Sequence, residues 1–370
     1  MTRSGIPGRV FFFAVSLKLT QNLMTFTLIL FITVAVLFDF MNGFNDSANI
    51  VSTMISSRAL SPRQALTITA IAEFIGPFLF GVAVAKTIGS GVLTLPSDAA
   101  TALPLILSSL VAAVCWNILT WHSGIPSSSS HALIGGLLGA AISHSTIVHL
   151  EKGIVTLQDF YSIFEVVKIS GLIKIVTSLL ISPAVGFIAG FLLLKLFRFL
   201  ARGSSPAINV FFKKGQIITA VGLALSHGTN DAQKTMGIIT MGLLATGQIH
   251  EFQVPMWVVA LSASAIALGT SVGGWRLIRT LGSGFFRIRP IDGFSTQIGS
   301  GLVIVCASLL GGPVSTTQVV STAIMGVGSA DRMSKVRWGV SKQIIITWII
   351  TIPCTSVLAG LLYLAMRKTL

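Results

Sequence analysis

Two short motifs place carboxylates in apolar surroundings. Asp46 follows Asn45 in GFNDSAN (43–49), and Asp231 follows Asn230 in GTNDAQ (228–233). An ionised carboxylate inside a membrane segment is expensive, so it needs a cation, a donor network or water and marks a functional site by default. Gly43 and Gly228 stand two residues before each Asn and permit backbone distortion, so a helix break with free carbonyls is expected beside each carboxylate. Such hard oxygen ligands suit sodium or a proton. A second element is the hydroxyl run Ser127, Ser128, Ser129 and Ser130 after Pro126, matched by Ser315, Thr316 and Thr317 after Pro313. Hydroxyls at a helix start, beside unpaired N–H groups and the positive end of the dipole, form an anion site. Two of them facing each other would enclose a tetrahedral oxyanion with donors on both sides.

Other chemistry is weaker. Ser130 next to His131 raises a hydrolase nucleophile, but there is no G-x-S-x-G elbow, and adjacent residues point to different faces of a helix. Cys115, Cys306 and Cys354 lie in apolar runs with neither metal-ligand nor C-x-x-C spacing, so no metal centre and no cofactor are expected. No nucleotide motif accompanies them, which argues against an enzyme.

The elements that position these residues follow from composition. Only 36 of 370 residues are charged and 53% are apolar, with a mean hydropathy of +0.87. A chain so poor in polar surface needs lipid as its solvent. The apolar runs do not alternate as barrel strands would, so the expected class is an all-α multi-pass membrane protein of about 10–12 segments. Several runs of 9 to 11 residues, among them 217–225 and 319–327, are too short to span and are interrupted by polar residues; they read as broken helices or re-entrant hairpins.

The net charge of +14 reports topology rather than nucleic acid. Fifteen of the 25 basic residues gather in four connectors, around Arg58 and Arg63, from Lys195 to Lys214, from Arg276 to Arg289 and from Arg332 to Lys342. That bias is the mark of cytoplasmic loops. Residues 1–23 carry Arg3, Arg9 and Lys18 around a short apolar run and read as a dispensable tail or a mis-assigned start, with Met24 as the alternative initiator.

The chain repeats itself. GFNDSAN recurs as GTNDAQ, KTIGSGV (86–92) as RTLGSGF (279–285) and PSSSSHA (126–132) as PVSTTQV (313–319). The order is kept, at offsets of 185 (Asp46 to Asp231), 193 (Gly89 to Gly282) and 187 (Ser128 to Ser315). The expected organisation is one transport domain of two repeats, 24–203 and 215–370, around a basic cytoplasmic linker at 204–214. The Asn-Asp segment leads into basic residues in the first repeat and out of them in the second, so the repeats are expected to be inverted. That is the architecture of alternating-access transporters, with the binding site near the midplane.

GFNDSAN, SHGTNDAQKTMG, PSSSSHALIGG and GGPVSTTQVVSTAIMGVG, in this order and over almost all of the chain from Met24, resemble the PiT inorganic phosphate transporter family. The resemblance implies cation-coupled uptake of inorganic phosphate across a plasma membrane. Phosphate would be held by Ser128, Ser129, Ser130, Ser315, Thr316, Thr317, Asn45 and Asn230, and cation coupling would fall to Asp46, Asp231, Asn49 and Glu73. Implied partners are phosphate, Na+ or H+, membrane lipid and a second copy in a homodimer. The chain departs from the family at Phe44 (usually Ala), Gln318 (often His) and Gln297 (Glu), and the loss of an ionisable group at Gln297 bears on coupling stoichiometry. The alternatives are a sulfate permease of the same fold and an anion channel or exporter. A protonated phosphate donates a hydrogen bond to a carboxylate and sulfate does not, which favours phosphate.

Overall fold

The computed structural model describes the backbone of residues 6–96, 98–153 and 161–368 and, apart from 6–23 and 283, their side chains. Among the described residues there are twelve α-helices and a single isolated bridge between Leu93 and Val167. The same succession occurs twice. A long helix, α1 (Ile6–Ser56), is followed by a bent pair, α2 (Pro62–Leu79) and α3 (Ala83–Gly91), and then by α4 (Ala99–Ser123), α5 (Ser129–Lys152) and α6 (Ile169–Leu200). Likewise α7 (Ile208–Ala245) precedes the bent pair α8 (Met256–Val272) and α9 (Trp275–Ser283), then α10 (Pro290–Leu309), α11 (Thr316–Asp331) and α12 (Trp338–Met366). The bends are 73° and 70°.

Among the described residues six helices (α1 from Met24, α4, α5, α6, α7 and α12) are long and apolar enough to cross a membrane, and the bent pairs raise the number to eight. The 16 residues of α11 rise only about 24 Å, short of a bilayer core. The protein is a multi-pass membrane protein.

Packing exchanges equivalent partners between the halves. α1 lies along α8 and α9 while α7 lies along α2 and α3, and α5 packs on α12 as α6 does on α11. Lipid gives no hydrophobic drive between helices, so close backbone approach through small residues supplies the adhesion. Gly43 on α1 meets the backbone of Ile266 on α8, and its counterpart Gly228 on α7 meets the backbone of Glu73 on α2. A Cβ at either position would lie 2.1 Å from the Ile266 carbonyl oxygen or 2.4 Å from that of Glu73. Outward faces carry exposed Ile173, Leu180, Ile349 and Leu361, as a lipid boundary requires.

This use of Gly43 and Gly228 corrects one expectation. Both Asn-Asp pairs lie inside unbroken helices, α1 and α7, so there is no backbone break beside the carboxylates. The breaks fall between α2 and α3, between α8 and α9, and before α5 and α11. Gln233 on α7 secures the first of them, its Oε1 accepting from the Val84 and Ala85 amides and its Nε2 donating to the Gly81 carbonyl.

The four basic connectors meet at one end of the bundle. Ser57, next to Arg58, donates to Gln216 Oε1 at 2.8 Å, and Gln216 donates to the Pro290 carbonyl beside Arg289. At the same end Arg198, Arg289 and Lys335 surround Asp331 at 2.7–2.9 Å. Lys86 is exposed on α3, as expected of a side chain that snorkels to the interface.

Candidate functional site

The helix-start hydroxyls and the Asn-Asp pairs come together in the interior. Ser128 is the N-cap of α5, its Oγ accepting the His131 amide at 3.1 Å, and Ser315 is the N-cap of α11, accepting the Gln318 amide at 3.3 Å. Both caps have extended backbone, with φ −103°, ψ 109° and φ −88°, ψ 103°, as N-cap residues do, and the first-turn N–H groups of each helix have no partner within their own helix. Thr316 and Thr317, in the first turn of α11, reach the carboxylates. Thr317 Oγ1 donates to Asp46 Oδ1 at 2.8 Å, and Thr316 Oγ1 lies 3.1 Å from Asp46 Oδ2 and 2.9 Å from Asp231 Oδ2. One hydroxyl therefore bridges the two motifs.

The remaining expected residues hold the tips in place. Ser129 donates to Asn42 Oδ1 at 2.5 Å and Ser130 to the Val314 carbonyl at 3.0 Å. Asn45 donates to the Asn117 carbonyl, and Asn230 donates to Ser308 Oγ at 2.8 Å while accepting the Val314 amide at 3.2 Å. Asn49 donates to Thr317 Oγ1 at 3.0 Å. Asn45, Asp46, Asn49, Ser127 and Thr317 line a narrow cleft together with Pro126 and Leu277.

Glu73, on α2, is completely buried and reaches the cluster through His227, whose Nδ1 lies 2.7 Å from Glu73 Oε1. His227 Nε2 is 3.0 Å from Asp231 and 3.6 Å from Asp46. Ligand atoms of Asp46, His227 and Asp231 all lie within 4.8 Å of one another, close enough to share one ion. Lys234 completes the constellation. Only 1% exposed, it pairs with Asp231 and donates to Ser130 Oγ at 2.5 Å and to the Val314 carbonyl at 2.9 Å. Asp39, two turns before Asp46 on α1, is fully buried.

Sequence reasoning passed over His227, Lys234 and Asp39. The signal was present: His227 and Lys234 are four before and three after Asp231, on the same face of one helix. The departures from the family pattern are accommodated locally. Gln297 donates to Thr53 at 3.0 Å and accepts from Thr219 at 2.6 Å, and Phe44 packs edge-on against Trp121 at 5.4 Å. Gln318 lies across from its counterpart His131, Nε2 to Nδ1 3.4 Å.

Four buried acids (Asp39, Asp46, Glu73 and Asp231) thus face two buried bases, His227 and Lys234, at the meeting point of two helix starts in a membrane bundle. Fold and site define a membrane transporter. The chain belongs to the phosphate transporter family, whose sequence profile matches residues 42–359. It is 40% identical over 338 residues to a probable low-affinity inorganic phosphate transporter of Bacillus subtilis (strain 168), covering 90% of this chain and 96% of that protein. A protein of the same description from Rhizobium meliloti (strain 1021) is 40% identical over 337 residues, 90% of this chain and 95% of its own. Among solved structures, "The sodium-dependent phosphate transporter" superposes with a TM-score of 0.81 at 23% identity, over 93% of this chain and all of that one, a likeness of fold.

Proposed function

We propose that the protein imports inorganic phosphate across the plasma membrane, coupled to a cation, by alternating access. The observation that carries this reading is the excess of buried acids over bases where two helix starts converge on Asp46 and Asp231. Unpaired buried carboxylates are costly in a low-dielectric interior, so the resting site demands cations or protons. Phosphate, itself an anion, is repelled by the bare carboxylates and enters only when that charge is neutralised, which makes coupling a consequence of the electrostatics. Its oxygens would then accept from first-turn N–H groups and hydroxyls of Ser128–Ser130 and Ser315–Thr317, displacing the hydrogen bonds that Thr316 and Thr317 make to the carboxylates.

The two repeats, 24–203 and 215–370, are read as inverted. The contact of Ser57 beyond the end of α1 with Gln216 near the start of α7 supports opposite directions for equivalent helices. So does the position of Arg198 near the end of α6 at the same end as Lys335, just before α12. Rocking one repeat against the other exposes a central site to each side in turn.

The test is uptake of labelled phosphate into proteoliposomes, with sodium and proton gradients imposed separately and sulfate in excess. Uphill accumulation driven by one gradient and unaffected by sulfate is expected. Accumulation of sulfate in its place would overturn the substrate, and gradient-independent equilibration would indicate a pore.

A further inference from the structure

The two halves of the site follow the pseudo-symmetry in their Asn-Asp carboxylates and tip hydroxyls, and position 234 is one of those where they differ. Adding 185 to Asp46 gives Asp231, and the same offset carries Asn49 onto 234, where the chain has lysine. The partners correspond as well: Asn49 donates to Thr317, and Lys234 donates to Ser130, which the tip offset of 187 carries onto Thr317. In each half the residue at this position donates to a hydroxyl of the opposite tip, beside the carboxylate of its Asn-Asp pair. In the first half the donor is a neutral amide, in the second an ammonium.

That ammonium sits where an ion would. Its three oxygen partners are a carboxylate, a hydroxyl and a main-chain carbonyl, from Asp231, Ser130 and Val314, drawn from both repeats. Hard oxygens of this kind, carrying one negative charge between them, are the ligand set of an alkali cation. A buried lysine that merely snorkelled would leave its charge at an interface, whereas here the whole side chain is 1% exposed.

We infer that Lys234 is a tethered cation that permanently fills the second-repeat ion position, so that only the Asp46 position is open to a free metal cation. This deepens the coupling reading above and rests on it for the role of Asp46. It makes Lys234 a determinant of ion stoichiometry: the protein carries one exchangeable position where its symmetry provides two.

The test counts sodium without phosphate, so that it is separable from transport. Purified protein is titrated with Na+ in choline buffer, by calorimetry and by the melting temperature. Wild type is expected to bind no more than one Na+ per chain. Lys234→Asn, which restores the symmetric residue, is expected to bind one more, and the added ion to disappear in the Lys234→Asn/Asp231→Asn double variant. An Asp46→Asn background isolates the second position: Na+ is expected to leave the melting temperature of D46N unmoved and to raise that of D46N/K234N. Two Na+ bound by the wild type, Na+ stabilisation of D46N itself, or no added ion in folded K234N would each overturn the inference. Lys234→Gln, with an amide of nearly the same reach, serves if the asparagine variant does not fold. Failure of phosphate uptake in liposomes with these counts intact would remove the substrate reading and leave the tethered cation standing.

Discussion

At the scale of the residue, the hydroxyl of Thr316 lies within hydrogen-bond distance of both motif carboxylates, at 3.1 and 2.9 Å. Hydrogen bonds to charged groups contribute about 1.5–3 kcal/mol each. Thr316→Val keeps the shape and removes the donor, so phosphate uptake should fall at least about tenfold, since roughly 1.4 kcal/mol corresponds to a factor of ten. Thr316→Ser should keep most of it, and equal initial rates for T316V and wild type would contradict the assignment. His227 offers a second check. It links Glu73 on α2 to Asp231 on α7, and His227→Phe leaves both carboxylates without that partner. Uptake by H227F should be abolished, and the melting temperature should fall; a variant with normal uptake would show that Glu73 acts independently. The carboxylates and hydroxyls of this site were legible in the sequence because each appears twice in the same order. Lys234 and His227 were not, because a doubling argument hides what is present in only one copy. Asp39 was hidden for another reason, since a lone Asp between two Phe residues has no pattern to announce it.

At the scale of the element, the glycines of the Asn-Asp motifs set how closely α1 and α7 approach the bent pairs. Gly43→Ala places a methyl 2.1 Å from a carbonyl oxygen that is part of α8 and cannot rotate away. Overpacking of this kind costs about 1–3 kcal/mol, so G43A should melt at lower temperature and transport poorly. Gly222, on α7 with no neighbouring atom within 4 Å of an added Cβ, is the control: G222A should melt no lower than wild type. Equal melting of the two variants would contradict the packing account. The sequence motif placed a break at these glycines because Gly next to Asn and Asp usually marks irregular backbone. In a membrane the same residue serves contact between helices, and periodicity alone does not separate the two uses. The bends after Leu79 and Val272 were not marked in the sequence, the first lying within a continuous apolar run, since the atoms that stabilise it come from Gln233, about 150 residues away.

At the scale of the whole molecule, the basic end is tied by acids that recur in no motif. Asp331, at the end of α11 and outside the spans, is held well below the usual carboxylate range, first by the hydrogen bond from Arg198 and then by Lys335. A carboxyl whose folded value is depressed stabilises the fold above its unfolded value, about 3.9, and loses that contribution as pH falls through the folded value. Asp331→Asn should therefore melt below wild type at pH 7, with the gap narrowing below about pH 4; a gap that stayed constant with pH would exclude the charge as its cause. The carboxyl is partly exposed, so the effect is expected to be small and to shrink with salt. Positive connectors, apolar runs and repeats made the membrane class and the doubled architecture readable without coordinates. The burial of four acids against two bases was not, because only folding brings Asp39, Glu73 and Asp231 to one place. That imbalance is the central claim, and the direct measurement is phosphate accumulation by wild-type and Asp46→Asn proteoliposomes under an imposed sodium or proton gradient. Uphill uptake by the wild type, collapsing with the gradient and absent in D46N, is the predicted result. Uphill uptake by D46N with its cation dependence intact would contradict it.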